Sequence, residues 1–357
     1  MSVVTSGHDV ADARLHREVA ALHRRGLTVE VLGLGVASSG PPEATNRTWR
    51  RGGGARRAWH AVTLPLHARG QVVVALDPDS AAGARVARRL RRIVGRRSAL
   101  VADVHEDYDL LLKDRTWASG LRGAIAALWA RLGIRAARAA DLLVVADEHL
   151  MRDEPHRLVV RNLADLTMLP RPGERDPSPR ALYIGDLRRS RGLFAMLDAV
   201  EAAPGWALDL VGPLAPEDRD AFLARIASPL LADAVHWHGR QPPRESWTHA
   251  TGAWVGLLLL DATPAFRDAI PSKLYEYLAC GLAVVSTGLP RSAEVLASTG
   301  AGAVVTDARG AADCLSRWLA DPAELDRVRA AARAAGEVYV TGDDLTAFAD
   351  AVAALLT

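Results

Sequence analysis

Lysine is nearly absent from this chain: of its 44 basic residues only Lys113 and Lys273 are lysines. Such arginine bias is the mark of a GC-rich coding sequence, and it makes a lysine inside any motif conspicuous. Cysteine is almost as scarce. Cys280 and Cys314 show no Cys-x-x-Cys or Cys/His spacing, which excludes a zinc finger or ribbon. Two thiols, with Cys280 in an apolar setting, fit a reducing cytoplasm. Aromatics make up 5% of the chain and do not interleave with its basic residues, so no nucleic-acid-binding module is read. No apolar run approaches the length of a membrane span. No signal peptide is visible, because strand-like Val3-Val4 follows almost at once, and a cytoplasmic location is expected. There is no low-complexity tract and no short repeat.

What is present is apolar mass and an uneven charge. A chain of 357 residues, 49% hydrophobic, is enough for two cores. The net charge of +2 hides a division. Residues 1–170 carry 26 basic against 18 acidic side chains, and the remainder carries 18 against 24. A basic half joined to an acidic half points to an anionic surface or acceptor near the first half, or to a solvated arginine-rich face. Seven arginines crowd residues 85–97, a candidate for peripheral contact with an anionic membrane on its cytoplasmic face.

Short apolar runs alternate with helical patterns along the whole chain. Strands are expected at Ser2–Thr5, Val29–Leu32, Gln71–Leu76, Ala99–Val104, Leu142–Val145 and Leu158–Val160. Helices are expected at Asp12–Arg25, Ala81–Val94 and Leu121–Ala139, with a basic, glycine-rich loop around Arg50–Arg57. Residues 168–180 hold four prolines and form the candidate linker. A second series follows, with strands at Ala181–Ile184, Leu208–Val211, Val235–His238, Trp254–Leu260, Leu282–Ser286 and Ala303–Val305. This alternation predicts α/β architecture, with parallel, doubly wound sheets in a first domain (1–167) and a second (181–340). Residues 341–357 form a last helix.

Ile270–Thr287 is the most informative stretch. It reads as a helix start, a short helix, a glycine stop and a buried strand. Pro271 suits the first helical position, and Gly281 the residue just past the helix end. The amides of Ser272, Lys273 and Leu274, with the Lys273 ammonium, would favour a phosphate. Glu276, about one turn on, would suit a ribose hydroxyl.

Pro271, Lys273, Glu276, Ala279, Gly281, Val284 and Val285 match the donor motif of retaining, nucleotide-sugar-dependent glycosyltransferases of family 4, which this segment resembles. Ala283 stands where proline is usual, and Asp268 where many members carry a second glutamate. The resemblance implies the GT-B fold: two Rossmann-like domains facing a central cleft, with the last helix crossing back to the first. It assigns the first domain to the acceptor and the second to the donor. In Tyr183–Gly192, Gly185 and the basic residues Arg188 and Arg191 would grip the diphosphate. His105 ends a first-domain strand in Asp103-Val-His-Glu-Asp-Tyr108 and would lie close to the donor sugar. Asp107 and Glu106 would contact acceptor or cap a helix. Gly7, His8 and Asp12, in the first strand-to-helix loop before Arg14, are acceptor candidates, Asp12 being equally an N-cap. Glu294 would open a helix near the donor or merely cap it. His236 and His238 read as structural.

The expected activity is therefore transfer of a sugar from a nucleoside-diphosphate-sugar donor to a hydroxyl acceptor (glycan, lipid or natural product). Lys273, Arg191, Asp268 and His105 are the expected catalytic groups. No cofactor and no metal is implied, since Asp77-x-Asp79 lies in the first domain, away from the expected donor site. The alternatives are an epimerase of nucleotide sugars on the same fold and a non-catalytic paralogue that binds a nucleotide sugar or a partner.

Overall fold

The computed structural model describes residues 1–105, 120–267, 270–340 and 343–356. The chain forms two compact units: Met1–Asn162 together with Gly342–Thr357, and Leu163–Thr341. No helix among the described residues is long and apolar enough to cross a membrane.

The first unit holds a seven-stranded sheet in the order β3-β2-β1-β4-β5-β6-β7. Its strands are β1 (Ser2–Asp9), β2 (Glu30–Leu34), β3 (Thr45–Trp49), β4 (Val72–Ala75), β5 (Ala99–Val104), β6 (Leu142–Val145) and β7 (Leu158–Val159). Every pairing is parallel. A parallel sheet is covered on both faces, so its central strands are apolar runs rather than alternating ones. Val72–Ala75 is buried at every residue. One face carries helices Gly54–His67, Pro78–Ile93 and Gly120–Arg138, packed against one another in that order. The other carries helix Ala13–Arg24 and the last helix, Asp343–Ala354. Leu345, Phe348, Ala349 and Val352 of that last helix join the core of Val3, Leu15, Val19, Val72 and Val144.

The expected basic loop at Arg50–Arg57 is only half a loop, because a helix begins at Gly54. Pro65 lies within its last turns and gives no N–H to the Ala61 carbonyl. That carbonyl instead meets Gly83 of the next helix, where a Cβ would lie 1.9 Å from the oxygen.

The second unit holds a six-stranded parallel sheet in the order β10-β9-β8-β11-β12-β13. Its strands are β8 (Arg180–Ile184), β9 (Ala207–Val211), β10 (Val235–Trp237), β11 (Val255–Leu258), β12 (Ala283–Thr287) and β13 (Gly302–Val305). Strand order reverses at β8/β11, the kind of switch point where ligands sit beyond the carboxyl ends of strands. Two apolar layers flank the sheet, one around Phe222, Trp254 and Trp318, the other around Trp247, Leu274 and Tyr277. Residues 168–179 lack regular structure but are fastened to this unit. The Trp254 indole donates to the Asp176 carbonyl at 2.7 Å, and the buried Arg329 donates to the Gly173 carbonyl at 3.1 Å.

Candidate functional site

In the second unit, β8 is followed by Gly185, whose φ of +145° is closed to other residues without strain. Its N–H donates to the Val211 carbonyl at 2.8 Å. A Cβ here would lie 2.3 Å from Lys273 Cε and 2.8 Å from its Nζ, so the lysine arm lies directly over the glycine. The placement comes from the core beneath. The fully buried Tyr277, one turn after Lys273, accepts the Ile184 N–H on its hydroxyl at 3.2 Å. That bond ties helix Ser272–Ala279 to the last residue of β8.

Around Asp186 the loop gathers cations. Arg188 Nη2 donates to Asp186 Oδ2 at 3.0 Å. Burial works against the Asp186 charge, but Arg191, Arg188, Lys273 and Arg240 outweigh it and hold the carboxyl below its usual range. Burial raises the Tyr183 phenol, and Arg191, hydrogen-bonded to its hydroxyl, opposes this. The hydroxyl itself donates to the Asp186 carbonyl at 3.2 Å. Four cations around one carboxylate leave a surplus of positive charge, which suits a polyanion such as a diphosphate.

The helix start differs in detail from expectation. Pro271 is the N-cap rather than the first helical residue, which is Ser272. The Leu274 amide is engaged by the Pro271 carbonyl at 3.0 Å, and its side chain is core. Of the three amides expected to face an anion, Leu274's is thus committed to the turn. Glu276 is 4% exposed, and Ser272 Oγ donates to its Oε2 at 3.3 Å. Gly281, with φ +71°, closes the helix as expected, its N–H on the Leu278 carbonyl at 2.9 Å. Glu294 stands exposed in helix Pro290–Thr299. Asp268 lies outside the described residues. A cavity of about 570 Å³ opens at the carboxyl ends of β11, β12 and β13, lined in part by Leu260, Asp261, Thr287, Gly288 and Asp307.

In the first unit, His8, Asp12 and His105 come together. His105 Nε2 lies 3.0 Å from His8 Nε2, a distance at which one imidazole donates to the other. Asp103 Oδ2 lies 3.5 Å from His105 Nδ1, and Asp12 Oδ2 lies 3.6 Å from His8 Nδ1. The result is a row of carboxylate, imidazole, imidazole and carboxylate. Asp12 also caps helix Ala13–Arg24, accepting the Arg14 and Leu15 amides at 2.9 and 3.1 Å. Burial opposes the Asp12 charge, but the His8 hydrogen bond and the two imidazoles hold its carboxyl far below the usual range. Gly7 packs against the Arg57 guanidinium and donates its N–H to Asp77 at 3.3 Å. Asp107 and Glu106 lie outside the described residues.

Beneath this row is a buried network that sequence reading did not find. Arg14 holds Asp103 with two bonds, Nε to Oδ2 at 2.6 Å and Nη2 to Oδ1 at 2.7 Å. Its Nη1 donates to the Val160 carbonyl and to Asn162 at 2.9 and 2.8 Å. Arg14 therefore positions Asp103, and through it His105. Arg240 also went unread, because it belongs to no contiguous motif, and Asp186, although it lies within Tyr183–Gly192, carries no sign in the sequence that the cations gather on it.

A family model described as "Glycosyl transferases group 1" matches residues 167–335. No curated protein sequence matches the chain. Solved structures resemble it along its whole length. Sucrose-phosphate synthase from Thermosynechococcus elongatus matches at TM-score 0.73 and 16% identity, over 99% of this chain and 98% of that one. HepE of Anabaena, solved with UDP and glucose, matches at TM-score 0.69 and 14% identity, over 99% and 100%. WaaG, a glycosyltransferase involved in lipopolysaccharide biosynthesis, matches at TM-score 0.63 and 14% identity, over 99% of each chain. At such identities the likeness is one of fold: two Rossmann-like, parallel-sheet domains of the GT-B kind.

Proposed function

We propose that this chain is a retaining, family 4 glycosyltransferase that moves a sugar from a nucleoside-diphosphate-sugar donor to a hydroxyl acceptor. The observation that carries this reading is the gathering of Lys273, Arg188, Arg191 and Arg240 around the Gly185–Asp186 turn. It falls within the residues that the group 1 transferase model matches. HepE was solved with UDP and glucose, which makes UDP-glucose the first donor to test.

In this mechanism the sugar C1–O bond to the diphosphate breaks as the acceptor oxygen bonds C1 on the same face. The acceptor proton passes to the departing phosphate oxygen. Negative charge grows on the diphosphate, and Lys273 with the arginines stabilises it where it develops. Glu276 holds the ribose, and Asp268 orients the sugar. The cations take the part that a divalent ion takes in metal-dependent transferases, so turnover should continue without added magnesium or manganese. The first unit serves the acceptor through His8 and Asp12, and supplies His105, paired with His8, as its catalytic group.

The same reading places the protein in the cytoplasm, against an anionic membrane. Trp59, Leu66, Val86, Leu90, Ile93, Ile125 and Leu128 are exposed on three neighbouring helices, among the arginines of residues 85–97. Apolar side chains set in cationic surroundings suit a headgroup layer.

The test is a thermal-shift and hydrolysis screen against UDP-, GDP-, ADP- and TDP-sugars. Stabilisation by one donor, with slow release of its nucleoside diphosphate, is the expected result. No stabilisation by any of them would overturn the reading.

A further inference from the structure

At the opposite edge of the second sheet, three side chains converge that the transferase chemistry does not use. Asp209 comes from β9, His238 follows β10, and His249 ends helix Pro243–Thr248. Asp209 Oδ1 lies 2.8 Å from His238 Nε2. The His238 and His249 rings lie 4.1 Å apart between centroids, tilted by 42°. One ligand atom from each of the three residues lies within 4.8 Å of the others. Asp209 is buried, and the histidines are half-buried.

We propose that Asp209, His238 and His249 bind a divalent transition-metal ion of the zinc type, with water completing a four-coordinate shell. Two imidazoles and one carboxylate are a borderline-soft donor set, which suits zinc better than magnesium or calcium. The groups behind the ligands are arranged as a metal site needs. Arg180 Nη1 donates to the other Asp209 oxygen at 2.7 Å, leaving Oδ1 for the ion. Gln241 Oε1 lies 3.1 Å from His249 Nε2. If that nitrogen donates its proton to the amide, Nδ1 keeps its lone pair. Arg180 is itself balanced by Asp176 at 2.8 Å, so its charge does not stand alone beside the ion. In the metal-bound form the neutral His238 ring carries its proton on Nδ1, so that Nε2, which faces Asp209 Oδ1, offers its lone pair to the ion.

The ion has a structural consequence. β10 is an edge strand of three residues, paired among the described residues with β9 alone. A ligand from the residue after β10 and another from the end of helix Pro243–Thr248 would clasp that edge to the sheet.

The experiment uses the full chain, stripped with a chelator and dialysed, then titrated with Zn²⁺ against a chromophoric competitor. One tight equivalent is expected, with a rise in the melting temperature. His249→Ala and His238→Ala should each weaken binding at least tenfold and abolish the rise, while circular dichroism stays that of the wild type. Co²⁺ in place of Zn²⁺ should give the intense visible bands of a tetrahedral site. His8→Ala controls for the imidazole pair of the first unit. Wild-type zinc affinity in the His249→Ala protein would overturn the proposal. So would loss of binding in His8→Ala alone, or no equivalent tighter than in the His238→Ala/His249→Ala double variant.

Discussion

Replacing Gly185 with alanine separates the backbone's demands from the ligand's. The φ of +145° belongs to a region that only glycine occupies freely. Holding another residue there costs about 1–3 kcal/mol. For a unit of this size each kcal/mol lowers Tm by roughly 2–4 °C, so the second unit should melt about 2–12 °C lower. The new methyl would also stand 2.3 Å from Lys273 Cε. That atom lies near the end of a flexible arm, so the lysine moves rather than the backbone. If the ammonium contributes a charge-assisted bond to the donor diphosphate, its displacement removes about 1.5–3 kcal/mol. Donor affinity then falls by about 10- to 150-fold. Calorimetric melting without ligand reads the first effect, and titration with nucleotide sugar reads the second. Lys273→Ala, made in the Gly185→Ala background, should cost little more than Gly185→Ala alone. Wild-type donor affinity in Gly185→Ala would refute the claim that Gly185 exists to seat Lys273 against the ligand. An unchanged Tm as well would refute the strain argument.

Lys273→Ala and Glu276→Ala should each cut donor turnover by at least tenfold with circular dichroism unchanged; near-normal kinetics in both would remove the site assignment. Burial and the adjoining Asp103 carboxylate push Glu18 well above its ordinary 4.5, against the pull of Arg14. The folded protein therefore favours protonated Glu18, and this contribution is full below pH 4.5 and lost as pH rises above it. Glu18→Gln should flatten that loss, giving a Tm gain at pH 8 that is absent at pH 4; a gain equal at both would contradict the assignment. Gly83→Ala drives a methyl into the Ala61 carbonyl and should cost about 1–3 kcal/mol in chemical denaturation. Vesicles rich in anionic lipid should pellet the protein at low salt and release it at high salt; no pelleting at low salt would exclude the membrane face.

The legible parts of the fold are those where local pattern and burial agree. β5 and β6 occupy the bounds expected of them, because a strand covered on both faces must be apolar throughout. β3 escaped notice for the opposite reason. Thr45–Trp49 is a half-exposed edge strand, and its polar residues carry no inward pattern. Helix Gly54–His67 was hidden by glycines at its start and Pro65 near its end, both of which read as breakers. The donor-motif segment was readable because its groups share one helix and one turn. Arg240 could not be read, since what brings it to Asp186 is the strand order of the sheet. Arg14 and Asp103 stand 89 residues apart, and only the fold shows that the arginine is spent on the aspartate.

The first unit is discontinuous in the chain, and this governs the order in which the protein can be completed. Its core needs Leu345, Phe348, Ala349 and Val352, which the ribosome delivers only after the entire second unit. At about 5–20 residues per second, the intervening stretch takes roughly 10–40 s to synthesise. Throughout that interval the nascent first sheet presents Leu15, Val19 and Val144 without their final cover. The second unit, contiguous in sequence, can close as soon as it emerges. The part made first is thus the part finished last, and its waiting apolar face is where a chaperone would be needed.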